Sequence, residues 1–229
     1  MNIISDSAKL YRNVRILNST IGHNCLVGDD VYLNNVVMHD HAELAPRCNM
    51  MNVNIGFGSY AGMNCTFRDV NIGKCCNISW NVSIVGHDYH DFARLSSYSD
   101  YWLNRIFKAQ NLEKEVLGKT TIENDVYMGC SAVILDGLTI GDGCVIGANT
   151  VVTKDLEPYS VAAGNPAKVL RKRFQDKHIE RLLNLKWWDL PYDIIWQNVN
   201  LLRTEVTDSL LDKLEEIKLE YLKGNSINS

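Results

Sequence analysis

The sequence predicts a mainly β protein, built as a parallel β-helix with a protruding loop and C-terminal α-helices. Three observations predict this fold. Apolar residues recur at every sixth position, small or β-branched residues follow four positions later, and the C-terminal part changes to 3.6-residue spacing. We place the β-helix at residues 1–167, its protruding loop at about 86–115, and a helical segment at 168–229.

The longest unbroken six-residue period lies in the second half of the chain. It consists of Ile122, Met128, Ile134, Ile140, Ile146 and Val152. Glycine directly follows three of these residues, at Gly129, Gly141 and Gly147. Shorter runs occur earlier, at Ile21, Val27 and Leu33, at Ile55, Ala61 and Phe67, and at Ile72, Ile78 and Ile84. With 46% hydrophobic residues, six in phase would occur by chance in about 1% of starting points.

A second position, four residues after each apolar marker, supports the same phase. It is occupied by Cys25, Val31, Val37, Ser59, Cys65, Cys76, Val82, Val126, Ala132, Leu138, Cys144, Thr150 and Leu156. Because six is a multiple of the two-residue strand period, both positions face the inside of a coil of short strands. Four of the seven cysteines lie on this position, which predicts small buried side chains. Cys48, Cys75 and Cys130 lie off the inward phase.

The period is interrupted twice. The first interruption, between Leu33 and Ile55, contains His39 and His41, which we expect at the surface or, alternatively, lining an acceptor pocket. The second lies between Ile84 and Ile122 and is rich in histidine and aromatic residues. It begins Gly86-His87-Asp88-Tyr89-His90-Asp91-Phe92 and continues through Tyr98, Tyr101, Trp102 and Phe107. Long loops on rigid scaffolds are often functional, and these aromatic side chains predict packing against a substrate or a neighbouring subunit.

The end of the coil is predicted at Gly164-Asn165-Pro166-Ala167, which a basic run over 168–174 follows. Helical spacing then relates Ile179, Leu182, Leu183 and Trp187, and later Leu210, Leu214, Ile217 and Tyr221. Pro191 is suited to the first turn of a further helix through Ile194, Ile195 and Val199.

Composition excludes several classes of function. The chain has 23 Lys and Arg and 27 Asp and Glu, which gives a net charge of −4. It therefore lacks the overall positive charge that is typical of nucleic-acid-binding proteins. We expect no membrane span, because no apolar stretch has the required length. The first residues lack a secretory signal, so we expect a cytoplasmic protein. The seven cysteines form no disulfide or metal-ligand pattern, so we expect no metal.

Several motifs together resemble the xenobiotic acetyltransferase group of hexapeptide-repeat acyltransferases. They are the hexads, Gly86-His87-Asp88-Tyr89, Gly164-Asn165-Pro166-Ala167 and Trp187-Trp188-Asp189-Leu190-Pro191. This group includes chloramphenicol, streptogramin and sugar O-acetyltransferases. The resemblance implies a left-handed β-helix, an acetyl-CoA-dependent acyltransferase, and a homotrimer with acetyl-CoA bound between neighbouring subunits.

By this resemblance, His87 is the catalytic residue. A neutral histidine, with an ordinary pKa near 6.5, can accept the proton of a hydroxyl or amine that attacks the thioester carbonyl. His90 is the competing candidate, and Asp88 or Asp91 could orient the ring or cap a turn. Direct transfer needs no covalent intermediate on the protein.

For acetyl-CoA, the resemblance places the pantetheine arm near Gly129, Ala132, Gly147 and Ala148, where small residues allow close approach. Lys154, Lys168, Arg171 and Lys172 are expected to meet the phosphates. The alternative is that the basic run is only the solvated start of the tail helix. Tyr127 stands where relatives often carry tryptophan, so stacking there would be altered.

The expected acceptor is a small molecule, with a sugar hydroxyl of the surface-polysaccharide type favoured. Ser97-Tyr98-Ser99 replaces the Tyr-Pro-Phe-like segment common in the drug-modifying enzymes. The amine of a nucleotide-linked amino sugar and the hydroxyl of an antibiotic remain alternatives. More distant are a zinc carbonic anhydrase, for which His87 and His90 lack the hexad spacing of a metal site, and a non-catalytic scaffold.

Overall fold

The computed structural model describes residues 1–85, 93–108 and 118–226. Short strands stack into a three-sided parallel β-helix, and helices follow it. The chain turns repeatedly through the same three faces, which we number in the order in which it meets them. Backbone hydrogen bonds join each coil to the next on every face. The predicted fold class, a parallel β-helix with C-terminal helices, is confirmed.

The strands divide among the faces as follows. Face 1 contains Ile3–Ile4, Thr20–Ile21, Val37–Met38, Thr120–Ile122 and Thr139–Ile140. Face 2 contains Lys9–Leu10, Leu26–Val27, Glu43–Leu44, Tyr60–Ala61, Asn77–Ile78, Tyr127–Met128, Val145–Ile146, Ser160–Ala163 and Lys168–Lys172. Face 3 contains Arg15–Leu17, Tyr32–Asn34, Ser83–Val85, Val133–Leu135 and Val151–Val152. Two longer strands, Asn49–Ile55 and Thr66–Ile72, pass from face 3 to face 1.

The number of residues per coil explains the first interruption of the period. Before the protruding loop, equivalent residues are 17 apart, as in the pairing of Ile21 with Met38 and of Ile55 with Ile72. After the loop they are 18 apart, as in the pairing of Ile122 with Ile140. Each 17-residue coil therefore has two six-residue sides and one five-residue side. The region from Leu33 to Ile55 contains two such short sides and does not interrupt the coil.

The short sides correct two sequence-based expectations. Val37 was expected inside the coil, but it is 40% exposed and Val36 occupies the interior. Cys48 was expected off the inward phase, but it is fully buried. Both errors arise because a strict six-residue period runs one position out of phase after each five-residue side.

Asparagine and aspartate form the corner between faces 3 and 1, which we call the short corner. Asn35, Asn52 and Asp69 have left-handed φ values of 57°, 57° and 55°, a conformation that these side chains tolerate well. The Asn35 amide donates to Asn52 Oδ1 at 2.9 Å, and the Asn52 amide donates to Asp69 Oδ1 at 2.9 Å. This side-chain ladder stabilises the turn in successive coils.

The coil interior is one continuous hydrophobic core. It contains the predicted inward cysteines Cys25, Cys65, Cys76 and Cys144, all free. Burial raises the pKa of the Cys76 thiol to about 12. These thiols act as small apolar side chains, as the sequence predicts.

The described residues form four α-helices, α1 (Asp100–Phe107), α2 (Asp176–Leu185), α3 (Tyr192–Gln197) and α4 (Asp208–Ser226). Short 3₁₀ turns occupy Trp187–Asp189 and Val199–Arg203. The α2 and α4 helices share a second hydrophobic core. Within the described parts of the chain, no helix combines the length and apolarity that crossing a membrane requires.

The basic run does not begin a helix. Lys168–Lys172 forms a strand that pairs antiparallel with Ser160–Ala163 at the edge of face 2. Helix α2 begins only at Asp176, so the alternative interpretation of the basic run as the solvated start of the tail helix is wrong. Val199 likewise lies in a 3₁₀ turn beyond the end of α3.

Candidate functional site

The segment between Val85 and Thr120 is inserted at the short corner. The strand Thr66–Ile72 pairs with Ser83–Val85 on face 3 and with Thr120–Ile122 on face 1. The chain thus leaves the coil after Val85 and rejoins the same coil at Thr120. His87, Asp88 and His90 lie in residues 86–92, outside the described residues. Their proposed roles stay predictions.

Residues 93–108 of this insertion are described, and they include helix α1 and present aromatic side chains to solvent. Tyr101, Trp102 and Phe107 are exposed. Tyr98 and Phe107 meet edge to face with ring centroids 6.4 Å apart. An exposed aromatic surface of this kind agrees with the expectation that the segment packs against another molecule.

The predicted pantetheine residues Gly129, Gly147 and Ala148 meet at the corner between faces 2 and 3, which we call the glycine corner. A Cβ atom on Gly129 would lie 2.5 Å from the backbone nitrogen of Ala148 in the next coil, so only glycine fits. Ala148 is exposed, whereas the side chain of Ala132 is fully buried inside the coil. At Gly129 and Ala148, the surface of the glycine corner therefore consists of backbone and a small side chain, and Ala132 is not part of it.

The predicted phosphate-binding cations are distributed unevenly. Lys168 is exposed and pairs with Ala163, next to Gly147 at the glycine corner. The Lys172 ammonium is already engaged by Pro158 O at 2.9 Å, Glu157 Oε2 at 3.2 Å and Ser160 Oγ at 3.3 Å.

The other two cations occupy different positions. Arg171 is exposed and donates to the Lys172 carbonyl at 3.0 Å. Lys154 lies between Val152 on face 3 and Leu156, which bridges to Ile140 on face 1. It therefore sits at the short corner of the last coil, separate from the glycine corner. Within one chain, Lys168 therefore lies beside the predicted pantetheine surface, whereas Lys154 lies at a different corner of the coil.

The two histidines of the first interruption have different neighbours. His39 Nε2 is 3.1 Å from Asn54 Oδ1. The His41 ring stacks on Tyr192 of α3, with centroids 4.8 Å apart and an interplanar angle of 9°. His41 is thus partly covered by the C-terminal helices. Across residues 1–85, 93–108 and 118–226, no group of three or more His, Cys, Asp or Glu side chains could hold a metal ion.

A cluster that sequence reasoning missed lies at the corner between faces 1 and 2, which we call the helix corner because the C-terminal helices cover it. Arg173 Nη1 donates to Asp125 Oδ2 at 3.0 Å and to the Gly143 carbonyl at 2.8 Å. Tyr159 is 1% exposed, and its hydroxyl has no hydrogen-bond partner among the described residues. Desolvation raises the pKa of both Tyr159 and Asp125. These residues are far apart in the sequence, so no local signal links them.

Comparisons with known proteins agree with the fold. The family model described as bacterial transferase hexapeptide (six repeats) matches residues 119–154. A chloramphenicol acetyltransferase of Agrobacterium fabrum is 40% identical over 52% of this chain and 59% of its own length. A protein named probable macrolide acetyltransferase, from Lysinibacillus sphaericus, is 44% identical over 48% of this chain and 58% of its own.

Galactoside O-acetyltransferase of Escherichia coli is 39% identical over 56% of this chain and 58% of its own length. The chain thus spans somewhat more than half the length of the relatives it matches. The matched family model lies where the six-residue period is unbroken. The chain contains hexapeptide repeats of the bacterial transferase type and is related in sequence to the hexapeptide-repeat acetyltransferases.

Proposed function

We propose that this protein transfers an acetyl group from acetyl-CoA directly to a hydroxyl group of a sugar of the surface-polysaccharide type. The observation that carries the proposal is sequence similarity of about 40% identity to named acetyltransferases, on a confirmed β-helix. The insertion that bears His87 replaces one short corner without disturbing the strand pairing on either side. Such a loop on a rigid scaffold suits an acceptor site.

The chemistry assigned to the chain's own residues is limited to proton transfer and charge stabilisation. His87 accepts the proton of the acceptor hydroxyl as its oxygen bonds to the acetyl carbonyl carbon, and the C–S bond then breaks to leave the thiolate. Protonated His87 returns that proton to the departing sulfur. Backbone N–H groups that no coil-to-coil bond uses are the candidate donors to the developing oxyanion.

The glycine corner fits the pantetheine arm of acetyl-CoA. The lack of a Cβ on Gly129 and the small side chain of Ala148 leave room for a narrow chain to lie against the coil. Lys168, next to this corner, and Arg171, exposed three residues further along the same strand, supply positive charge for phosphate groups. Acetyl-CoA supplies the activated acetyl group as a thioester.

The positions of these residues support a homotrimer with a shared site. Within one chain, His87 belongs to an insertion at the short corner, whereas Gly129 and Lys168 belong to the glycine corner. A cleft between two copies of the chain would bring the two corners together. Lys154, at the short corner, would then face the same cleft. The seven free thiols suit a reducing cytoplasm.

A xenobiotic hydroxyl is the second candidate acceptor. The relatives named chloramphenicol acetyltransferase and probable macrolide acetyltransferase are 40% and 44% identical to the chain, compared with 39% for the galactoside enzyme. A panel of a galactoside, a nucleotide-linked amino sugar, chloramphenicol and a macrolide separates these classes, with release of free CoA thiol as the measurement.

The test of the catalytic assignment compares His87→Ala with His90→Ala. We expect His87→Ala to lower the transfer rate by about 10²- to 10⁴-fold, the usual contribution of a general base. Acetyl-CoA at about 100 times its Kd should still raise the stability of the variant by about 2.7 kcal/mol. His90→Ala is the matched control and should retain most activity. Loss of activity only in His90→Ala would reverse the assignment, and absence of any acetyl-CoA effect in the wild type would refute the proposed function.

A further inference from the structure

A cavity lies between the helix corner and the C-terminal helices. Its volume is about 240 Å³, and it is partly open to solvent. Phe174, Trp187, Leu210 and Leu211 form apolar walls. These residues come from the segment after the last strand, the 3₁₀ turn and α4, so the cavity exists only because the helices fold back over the coil.

One end of this cavity is polar. Asp125 and Arg173 line it together with Tyr159, and Thr204 and Glu205 are the other polar residues of the cavity wall. Asp125 Oδ2 accepts the hydrogen bond from Arg173, while Oδ1 receives none from the described residues. The side chains of Asp125 and Arg173 are 28% and 27% exposed, so the ion pair is largely withdrawn from solvent. A ligand donor can therefore complete the hydrogen bonding of the carboxylate.

We propose that this cavity binds a small neutral aromatic molecule that carries an N–H or O–H donor. Size limits the ligand to one or two rings, because an apolar cavity of 150 Å³ already holds benzene and pockets for drug-sized ligands begin at about 300 Å³. The Phe174 and Trp187 rings offer edge and face contacts to such a molecule. The ligand's donor hydrogen-bonds to Asp125 Oδ1 at the polar end.

This site is distinct from the proposed acetyl-transfer site. The acetyl-transfer site uses the short corner and the glycine corner, whereas the cavity lies at the helix corner. The walls combine the coil with α4, so an occupant would also fasten the helices to the coil. The inference therefore does not depend on the proposed function.

The experiment is isothermal titration calorimetry of the full chain with indole and with 1-methylindole. The two probes share a ring system, but only indole has an N–H donor. We expect one indole to bind per chain, and 1-methylindole to bind about tenfold or more weakly, because it cannot donate to the carboxylate. Failure of indole to bind at millimolar concentration, or equal binding of the two probes, would overturn the proposal.

Two cavity-filling variants locate the binding. Leu210→Trp and Val206→Phe add bulk at two separate residues that line the cavity, so one variant suffices if the other fails to fold. Leu219→Trp is the matched control, because Leu219 is an exposed residue of α4 that does not line the cavity. Indole affinity should fall at least about tenfold in a filled variant and be unchanged in the control. Unchanged affinity in the folded filled variants would place indole elsewhere and contradict the proposal.

Discussion

At the scale of single residues, the distance between neighbouring coils decides which side chains are tolerated. Adjacent strands in a sheet lie about 4.8 Å apart, and at the glycine corner the backbone of the next coil fills the space that a side chain would need. Gly129 meets the backbone of Ala148 in this way. Glycine at this position is thus a packing requirement, independent of the proposed binding of acetyl-CoA.

Gly129→Ala should destabilise the fold by about 1–3 kcal/mol, because the added methyl group would lie 2.5 Å from backbone that cannot move aside. The measurement is the midpoint of urea unfolding. Gly118→Ala is the control, since a Cβ there meets nothing within 4 Å. Equal midpoints for the two variants would show that the coils can separate locally at little cost.

Asp125 should make stability depend on pH. Burial raises its pKa in the folded protein, whereas in the unfolded chain an aspartate titrates near pH 3.9. The folded state therefore holds a proton that the unfolded chain has lost, and stability falls as pH rises between the two pKa values. The Asp125→Asn variant has no ionisable group at this position, so its stability lacks this contribution to the pH dependence.

The unfolding free energy of wild type minus that of Asp125→Asn should decrease as the pH rises from about 4. Urea unfolding of both proteins at several pH values measures this difference. A difference that increases with pH would mean that the ion pair with Arg173 outweighs the cost of burial.

Most inward residues could be predicted at this scale, because the six-residue period and the two-residue strand period agree. Val37 and Cys48 could not, since a five-residue side leaves no mark in a strict hexad count. The Arg173 cluster also escaped prediction. Its members come from separate coils, and only the folded chain brings Asp125, Tyr159 and Arg173 together.

At the scale of elements, helix α2 packs against α4 through charged as well as apolar contacts. Arg181 donates to Glu215 Oε1 at 2.8 Å and to Asp212 Oδ1 at 2.7 Å. The Lys218 ammonium donates to the carbonyls of Asn184 and Leu185 at the end of α2. These contacts fix the register between the two helices, while their shared apolar core supplies most of the stability.

Leu211→Ala should lower the stability of the helical unit by about 2–5 kcal/mol, because Leu211 is 0% exposed in the second core. Circular dichroism should show the helical signal disappearing at a lower temperature than the β signal. Leu219→Ala, at a position 55% exposed on the same helix, should change little. A single transition shared by both signals in Leu211→Ala would show that coil and helices unfold as one unit.

Helices α2 and α4 could be predicted from their spacing, whereas the strand Lys168–Lys172 could not. A basic run has no alternation that marks a strand. Here the pairing with Ser160–Ala163 imposes the extended conformation, an effect of tertiary context on a weak local preference. For the same reason, the engagement of Lys172 by Glu157 and Pro158 was invisible in the sequence.

At the scale of the whole molecule, the coil behaves as a repeat protein whose unit is one turn. Equivalent residues before the insertion are 17 apart on every face, as the pairings of Lys9 with Leu26 and of Arg15 with Tyr32 show. Each turn contacts chiefly its two neighbours, which is the property that makes repeat arrays tolerant of gain or loss of whole units.

Deleting residues 22–38, one turn of 17, should leave a folded protein, because Ile21 then takes the place of its equivalent Met38. Deleting residues 22–39 should disrupt folding, since a one-residue slip moves alternate side chains to the wrong side of each strand. Far-UV circular dichroism and thermal unfolding of the two deletions provide the comparison. Similar behaviour of both would mean that the coil can change register freely.

The insertion at the short corner has a consequence for how such proteins diversify. Along Thr66–Ile72, the offset to the paired residue changes from 17 at Thr66 to 50 at Val70, yet both pairings remain parallel and in register. Because this corner accepts a long segment without moving a strand, the inserted segment and the coil can evolve independently of each other. Natural selection can replace the whole inserted segment, and the cost in folding is confined to closing one loop, which grows only slowly with its length.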